Sequence, residues 1–448
     1  MKTDSQIEDK VKQTTILAIP EEEQKFNWRH CWYPVAFLKD LPKTHPYSFS
    51  LYNEPFVLFR NADGQLGCLS DRCPHRAAKL SDGQIIDGKI ECLYHGWQFG
   101  SDGECLHIPQ LPADAKIPAS ACVRSFTVVE CQGIVWVWPG EPGTADEEKI
   151  PTIADLDKPE FFSADYMGDL PYDQNYLIEN LLDPAHVCIS HDGSEGNRKT
   201  AQPLDMEAIE TSVEGIRGRW KGKNNPNGVW MGLNFKAPNL VHYIYSLPGR
   251  SGGLALYSIP IGQGRSRLLL RRYGNFLPKN IKQKPRWLEH LRQNRILEED
   301  LPLIVGQQAE IERLGQSLKQ VYLPLKTSDV LVLEYRKWLD KFGESLPYYQ
   351  GYVTSKLKSD NDECNQQPVH LDRLSRHTQL CSSCNRAYQV TNKLKQSLVG
   401  VAIALAGVAI VTDGAYQIVA VAVALSFVGL AVVADKLKTK FECSYTRR

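Results

Sequence analysis

The sequence predicts an α+β protein of two domains, an all-β domain followed by a mixed α+β domain, closed by a two-helix membrane hairpin. Three observations lead there. Short β-like runs separated by Asp-Gly turns crowd into residues 28–142, strand-like runs and one long helical stretch share residues 165–354, and two uncharged apolar runs fill 397–435. A length of 448 residues suits this division, because single cores stop growing beyond about 250–300 residues. With 42% hydrophobic and 23% charged residues the chain can bury a core, which excludes a disordered or fibrous class. Lys plus Arg (52) cancel Asp plus Glu (52), so no basic excess is available for a phosphate backbone and no nucleic-acid partner is expected.

Residues 1–27 read as an N-terminal tail. Met1 to Lys10 carry Asp4, Glu8 and Asp9 and no apolar run, so neither a secretory signal nor an acid-poor transit peptide is expected. Twelve cysteines in such a chain read as reduced thiols or metal ligands. In the first domain, Phe56-Val-Leu-Phe-Arg60 and Gly133-Ile-Val-Trp-Val-Trp-Pro139 are strand-like, and Asp63-Gly64, Asp82-Gly83, Asp87-Gly88 and Asp102-Gly103 are hairpin turns between antiparallel strands. The second domain combines runs such as Leu240 to Ser246 and Arg267 to Arg272 with a helical stretch from about Pro285 to Tyr322. Residues 355–396 are polar and linker-like, and they carry Cys381-Ser-Ser-Cys384.

Leu398 to Val411 and Ile418 to Ala434 are free of charge, and Thr412-Asp413-Gly414 turns the chain between them. Two such helices satisfy all their backbone groups internally and form a membrane hairpin at 397–435. Lys393 and Lys395 precede it, the basic tail 436–448 follows it, and the turn carries only Asp413, so both ends are expected on the cytoplasmic side. Ala402 with Ala406, and Ala420 with Ala424, would let the two helices pack closely.

Cys73-Pro-His75 and Cys92-Leu-Tyr-His95 each sit beside Asp-Gly turns, so two loops can converge on one centre. Two Cys and two His bind either one zinc ion or a Rieske [2Fe-2S] cluster. Each loop here offers one Cys and one His, which suits a binuclear centre with both thiolates on one iron and both imidazoles on the other. Gly96-Trp97-Gln98-Phe99 would supply an aromatic shell. The segment from Cys73 to Phe99 resembles the Rieske domain of ring-hydroxylating and related oxygenases.

A one-electron cluster needs a destination. Glu179-Asn180-Leu-Leu-Asp183-Pro-Ala-His186-Val-Cys-Ile-Ser-His191 places Asp183 three residues before His186, on one helical face, with His191 able to fold back from the following turn. Two His and one carboxylate form the facial triad of mononuclear Fe(II) that activates O2. The resemblance implies that the third ligand lies on a long helix well after the His pair. Asp300 fits that place, with Glu299 as the nearest rival and Glu310 or Glu312 behind it. It also implies a ring-shaped homotrimer in which Asp183 is an electron bridge between His186 and His75 or His95 of the next subunit.

The Cys381/Cys384 motif before a C-terminal hairpin, together with the Glu179 to His186 phrase, is similar to the pheophorbide a oxygenase group, which includes cell-death suppressor (leaf-spot) oxygenases and chlorophyllide or protochlorophyllide oxygenases. That similarity implies a helix-grip-like catalytic domain, O2 as co-substrate, reduced ferredoxin as electron donor and a tetrapyrrole-like substrate met at the membrane. The expected alternatives are a monooxygenase of another hydrophobic aromatic and a non-catalytic membrane Rieske carrier. Without a transit peptide, a cyanobacterial thylakoid or plasma membrane is the expected location. Cys381 and Cys384 read as a thiol-disulfide switch on an exposed linker, open to thioredoxin, as a zinc site with His370 and His377, or as inert thiols.

Overall fold

The computed structural model describes residues 25–112, 114–225, 227–277, 284–356 and 372–445. The sequence readings for residues 1–24, for His370 and for Arg447 and Arg448 lie outside the described residues.

The first domain is built on two antiparallel sheets. Six strands run in the order Tyr33–Phe37, Ile134–Trp138, Ser125–Cys131, Leu66–Ser70, Glu54–Arg60, Tyr47–Leu51, and four short ones in the order Gln84–Ile86, Lys89–Glu91, Gln98–Phe99, Cys105–His107. The Asp-Gly turns at Asp63-Gly64, Asp87-Gly88 and Asp102-Gly103 bring neighbouring strands back on one another, whereas Asp82-Gly83, also expected to be a hairpin turn, lies on the crossing from one sheet to the other. Gly88 and Gly103 have φ of +75° and +87°, and a Cβ on either would lie within about 2.0 Å of the backbone of Ala62 or Val123, so only glycine fits.

The second domain carries a seven-stranded antiparallel sheet, ordered Phe162–Leu170, Arg265–Gly274, Arg250–Gly262, Leu240–Leu247, Met231–Lys236, Gly215–Gly222, Leu204–Ser212. Five helices accompany it: α1 (Gln174–Leu181), α2 (Val187–Ser190), α3 (Arg286–Leu314), α4 (Leu318–Val321) and α5 (Val330–Phe342). The helical stretch expected to reach Tyr322 is interrupted. Gly315 adopts the left-handed conformation (φ 60°) and its N–H caps Ile311 O, which stops α3. A Ser317/Gln320 capping box then starts α4, and the reversal carries Val321 to Pro324 along the wall of a cavity.

The two domains share one hydrophobic core, from Tyr33 and Trp136 through Tyr257 to Trp338. Polar seams reinforce the joint. Tyr52 N–H donates to Pro260 O (2.7 Å) and Asn53 N–H to Ile261 O (3.0 Å), while Arg271 grips Asp165 with two hydrogen bonds and reaches Gln132 O at 2.7 Å. In the seven-stranded sheet His242 Nε2 lies 2.7 Å from Tyr273 Oη, and burial pushes its pKa down to about 4. The folded state therefore refuses a proton that the unfolded chain accepts at about 6.5. Stability should fall as pH drops from about 6.5 to about 4, by on the order of 2 kcal/mol at pH 5, and His242→Gln should flatten that slope in urea titrations at a series of pH values. An unchanged slope would remove His242 as its source.

The C-terminal helices α6 (Ser382–Val411) and α7 (Ala415–Glu442) form an antiparallel hairpin, and both are long and apolar enough to cross a membrane. α6 starts well before its apolar run and ends with it at Val411, whereas α7 begins at Ala415 and continues past Ala434 to Glu442. Ala402 and Ala409 on α6 face Ala420, Ala424, Ala431 and Ala434 on α7. Ala406, expected at that seam, is exposed, because the buried alanines of α6, Ala402 and Ala409, are seven apart rather than four. Ile403, Ile410, Ile418 and Leu425 point outward, each at least 66% exposed.

At the root of the hairpin the expected exposed linker is corrected. Leu374–Thr378 forms a π-helical turn, Ser382 to Lys395 are already part of α6, and Cys381 and Cys384 are buried at 0% and 1% exposure. The physical reason is Glu298 of α3. It is buried, accepts from Arg373 (2.9 Å) and Arg376 (3.0 Å), and takes the N–H of Tyr445 at 2.7 Å, drawing the polar segment and the end of the chain onto the catalytic domain. A carboxylate so placed must be paired, since an uncompensated buried charge costs several kcal/mol.

Candidate functional site

The fold gathers two clusters of side chains whose chemistry suits metal binding. The first is built from twin loops. Cys73 N–H donates to Ala78 O (2.8 Å) and Ala77 N–H to Cys73 O (3.0 Å); likewise Cys92 N–H donates to Trp97 O (2.9 Å) and Gly96 N–H to Cys92 O (2.8 Å). Ala77 and Gly96 both have positive φ, 57° and 75°, so the two loops turn in the same way and present their Cys and His together. Cys73 and Cys92 are 2% exposed and in mutual contact, and the rings of His75 and His95 lie 4.3 Å apart at 69°. Trp97 stacks flat on His75 at 4.8 Å. His75 Nδ1 is buried with no hydrogen-bond partner, an unsatisfied lone pair of the kind a bound metal takes up. These four residues fit a [2Fe-2S] cluster, with two thiols inward and two imidazoles toward the surface.

The second cluster joins α1, α2 and α3. The single helical face expected for Asp183 and His186 is corrected, because α1 ends at Leu181 and α2 begins at Val187. Asp183 precedes Pro184, and a residue before proline is steered out of the helical region. Its Oδ1 instead accepts from Ala185 N–H (2.8 Å), and its backbone carbonyl accepts from His186 Nδ1, with Oδ2 3.6 Å from the same nitrogen. His186 Nε2 is thereby aimed at Asp300 Oδ2 (3.6 Å), and His191 Nε2 meets the same oxygen at 3.1 Å. Ligand atoms of His186, His191 and Asp300 all lie within 4.8 Å of one another. Burial would raise the Asp300 carboxyl, but the His191 hydrogen bond and the two imidazoles hold it below the usual carboxylate range, in the charged form a cation needs. The three fit a facial triad with the remaining positions open.

Glu299, the nearest rival to Asp300, stands behind the site. Its Oε2 accepts from His191 Nδ1 (3.1 Å) and from Ser194 Oγ (2.6 Å), while Arg295 holds its other oxygen at 3.1 Å. Glu310 is paired with Arg313 at the surface and Glu312 accepts from Gln308, so neither reaches the triad. Asn180 was not picked out by sequence reasoning, although it falls within the same phrase; its Nδ2 lies 3.4 Å from Asp300 Oδ2 and 3.5 Å from His186 Nε2. Nor was Arg336, a fully buried guanidinium that pairs with Glu179 at 2.5 Å. A cavity of about 470 Å³ opens from His186 and Asp300 past Gln307 and Tyr322 to Leu323 and Pro324.

A third group of four donors, His290, His377, Cys381 and Cys384, is gathered at the root of the hairpin. It includes the Cys pair and one of the two histidines named from the sequence, but its second histidine comes from α3.

A β domain with twin Cys/His loops, joined to a helix-on-sheet domain with a His/His/Asp cluster beside a cavity, defines a Rieske-type non-haem iron oxygenase. Residues 31–127 match the Rieske [2Fe-2S] domain and residues 230–317 the pheophorbide a oxygenase domain. The chain is 36% identical to Protein TIC 55, chloroplastic, of Pisum sativum, over 92% of this chain and 81% of that protein. It is 32% identical to pheophorbide a oxygenase, chloroplastic, of Arabidopsis thaliana (85% and 76%), and 31% identical to flavonoid 8-hydroxylase 2, chloroplastic, of Ocimum basilicum (91% and 83%). The crystal structure of dicamba monooxygenase bound to dicamba shares the fold, with a TM-score of 0.59 at 24% identity over 70% of this chain and 96% of that one. The chain belongs to the Rieske oxygenase family that contains pheophorbide a oxygenase and TIC 55. Its cofactors are those of the class, a Rieske [2Fe-2S] cluster and a mononuclear non-haem iron. These plant relatives are named as chloroplastic, which does not fit the expected cyanobacterial location.

Proposed function

We propose that this protein is a membrane-anchored oxygenase that uses O2 and electrons from reduced ferredoxin to oxygenate a chlorophyll-derived tetrapyrrole. The observation that carries this reading is the cavity. Its volume of about 470 Å³ is in the range of small-molecule sites, it touches His186 and Asp300 at its inner end, and its outer rim is apolar, with Leu323 91% exposed. A large, flat, apolar ligand could lay one edge at the triad and leave its bulk against Leu303, Val321 and Pro324. Among the described residues no Lys or Arg lines the cavity, so an acidic substituent of the ligand would stay at the solvent rim.

In this reading Cys73, His75, Cys92 and His95 hold the cluster, and His186, His191 and Asp300 hold the iron. Once bound, the first supplies electrons one at a time and the second supplies the capacity to activate O2. The side chains around them orient and shield. Trp97 covers His75 and limits water there; the Asp183 carbonyl and Glu299 each take a ring N–H and so fix which imidazole nitrogen faces the triad. Arg336 cancels the charge of Glu179 at the back of the cavity. The hairpin would place the cavity where an apolar substrate partitions, in a chlorophyll-bearing membrane with both helix ends on one side. Leu93 and Tyr94, 60% and 61% exposed beside His95, offer an apolar surface to a neighbouring subunit, consistent with a homotrimer bridged at Asp183.

The test is anaerobic reconstitution of the full chain, then isotope-labelled O2 with reduced ferredoxin and a panel of pheophorbide, chlorophyllide, protochlorophyllide and a flavone. Label is expected in a tetrapyrrole. Label in the flavone alone would transfer the reading to another hydrophobic aromatic, the class named for the Ocimum relative. No labelled product from any of them would overturn the tetrapyrrole assignment.

A further inference from the structure

The catalytic reading makes no use of the four donors at the root of the hairpin. His290 comes from the first turns of α3, His377 from the π-helical turn, and Cys381 and Cys384 from the start of α6, so three segments meet there. All four residues are buried, between 0% and 3% exposed. His377 Nε2 lies 3.2 Å from Cys384 Sγ, and His290 Nδ1 lies 3.4 Å from Cys381 Sγ and 3.5 Å from Cys384 Sγ.

These separations are those of a single coordination shell. Zinc bonds of about 2.0–2.3 Å in a tetrahedron put neighbouring ligand atoms about 3.3–3.8 Å apart. A binuclear cluster would instead hold its thiolates and imidazoles on opposite irons, well separated from one another. The far side of each imidazole is equally specific. His290 Nε2 donates to Asp165 O (2.8 Å) and His377 Nδ1 donates to Met167 O (2.6 Å), two carbonyls two residues apart on the edge strand Phe162–Leu170. With those protons committed, the nitrogens that face the sulfurs are bare lone pairs. A ring N–H tied to a backbone carbonyl is the usual second partner of a metal-bound histidine, because it sets both the tautomer and the ring orientation. Tyr166, the residue between those carbonyls, stacks on His377 at 4.5 Å and 12° and holds the ring in that plane.

We propose that His290, His377, Cys381 and Cys384 bind one zinc ion in a closed tetrahedral site that fastens the membrane hairpin to the catalytic domain. Two thiolates neutralise the dication, so the filled site carries no net charge into the interior, whereas four polar donors left without a metal have only weak S–H contacts to satisfy them. With four protein ligands and no exposure, the ion has no open position and its role is structural. It ties the hairpin to α3 ten residues before Asp300, alongside the Glu298 clamp. The same burial works against Cys381 and Cys384 as an accessible substrate for thiol exchange.

The test is elemental analysis of the full chain, purified in mild detergent without chelators from zinc-replete cells. About one zinc per chain is expected beside the iron, with X-ray absorption at the zinc edge showing two sulfur and two nitrogen neighbours. The double variant Cys381→Ser/Cys384→Ser should lose the zinc and keep the Rieske electron paramagnetic resonance signal, while Cys443→Ser, at an exposed cysteine, should change neither. If the double variant does not fold, the zinc content and edge spectrum of the unaltered protein decide alone. Absence of zinc from the isolated protein, together with failure to take up added zinc after thiol reduction, would overturn the proposal. So would a Cys381–Cys384 disulfide in the protein as isolated.

Discussion

Asp300→Ala is expected to abolish oxygenation while leaving the Rieske centre intact. Among the described residues Asp300 Oδ2 is the one carboxylate oxygen within reach of both His186 Nε2 and His191 Nε2, so its loss leaves two imidazoles and no anion to hold a dication. Iron should fall from about three atoms per chain to about two, and turnover by at least about 10³-fold, on the order of 4 kcal/mol of transition-state stabilisation. Glu299→Gln is the informative comparison. Glu299 touches His191 on the nitrogen that faces away from Asp300, and the amide can still accept from that ring, so iron should be retained and activity should drop only about 10–100-fold. Iron analysis and single-turnover product formation on both variants distinguish the two roles. If Glu299→Gln lost the mononuclear iron and Asp300→Ala kept it, the assignment of the triad would be reversed.

Asp183→Asn should keep all of the metal and lose turnover. The structure separates two jobs at this residue. The hydrogen bond that orients His186 goes to the Asp183 backbone carbonyl, which the substitution does not touch, and an amide oxygen can replace Oδ1 as acceptor for Ala185 N–H. What disappears is the negative charge 3.6 Å from His186 Nδ1, on a side chain that is partly exposed and thus open to a neighbouring subunit. Normal iron content and a normal Rieske signal are expected, with the rate of cluster reoxidation by O2 in the presence of substrate lowered by at least about 10²-fold. Wild-type reoxidation in this variant would sink the electron-bridge role for Asp183. Loss of iron would show that its carboxylate acts on the site itself.

Much of this architecture could be read along the chain, for local reasons. Asp-Gly turns at fixed places announce antiparallel hairpins because only glycine tolerates the backbone they need, as at Gly88 and Gly103. Cys73/His75 and Cys92/His95 sit on two short loops of the same design, so each half of that centre is encoded within a few residues. The apolar hairpin is legible because a membrane span writes its signal into composition. Legibility failed where local order gives way. The break at Asp183-Pro184 hid the two-helix geometry around His186, and a polar stretch that reads as an exposed linker is held down by a glutamate more than seventy residues upstream.

The sequence by itself determined the class of protein, the order of its domains, the two Cys/His loops, the His186/His191 pair and the C-terminal hairpin, since each rests on residue type and short-range spacing. Only the tertiary structure decided which carboxylate faces the His pair and which histidines meet Cys381 and Cys384. Glu299 and Asp300 are adjacent on α3 and point about 100° apart, so the rotation of that helix against α1 and α2 selects between them. His290 joins His377 because the packing of α3 on the edge strand closes a loop of nearly ninety residues, and no periodicity along the chain records a contact over that separation.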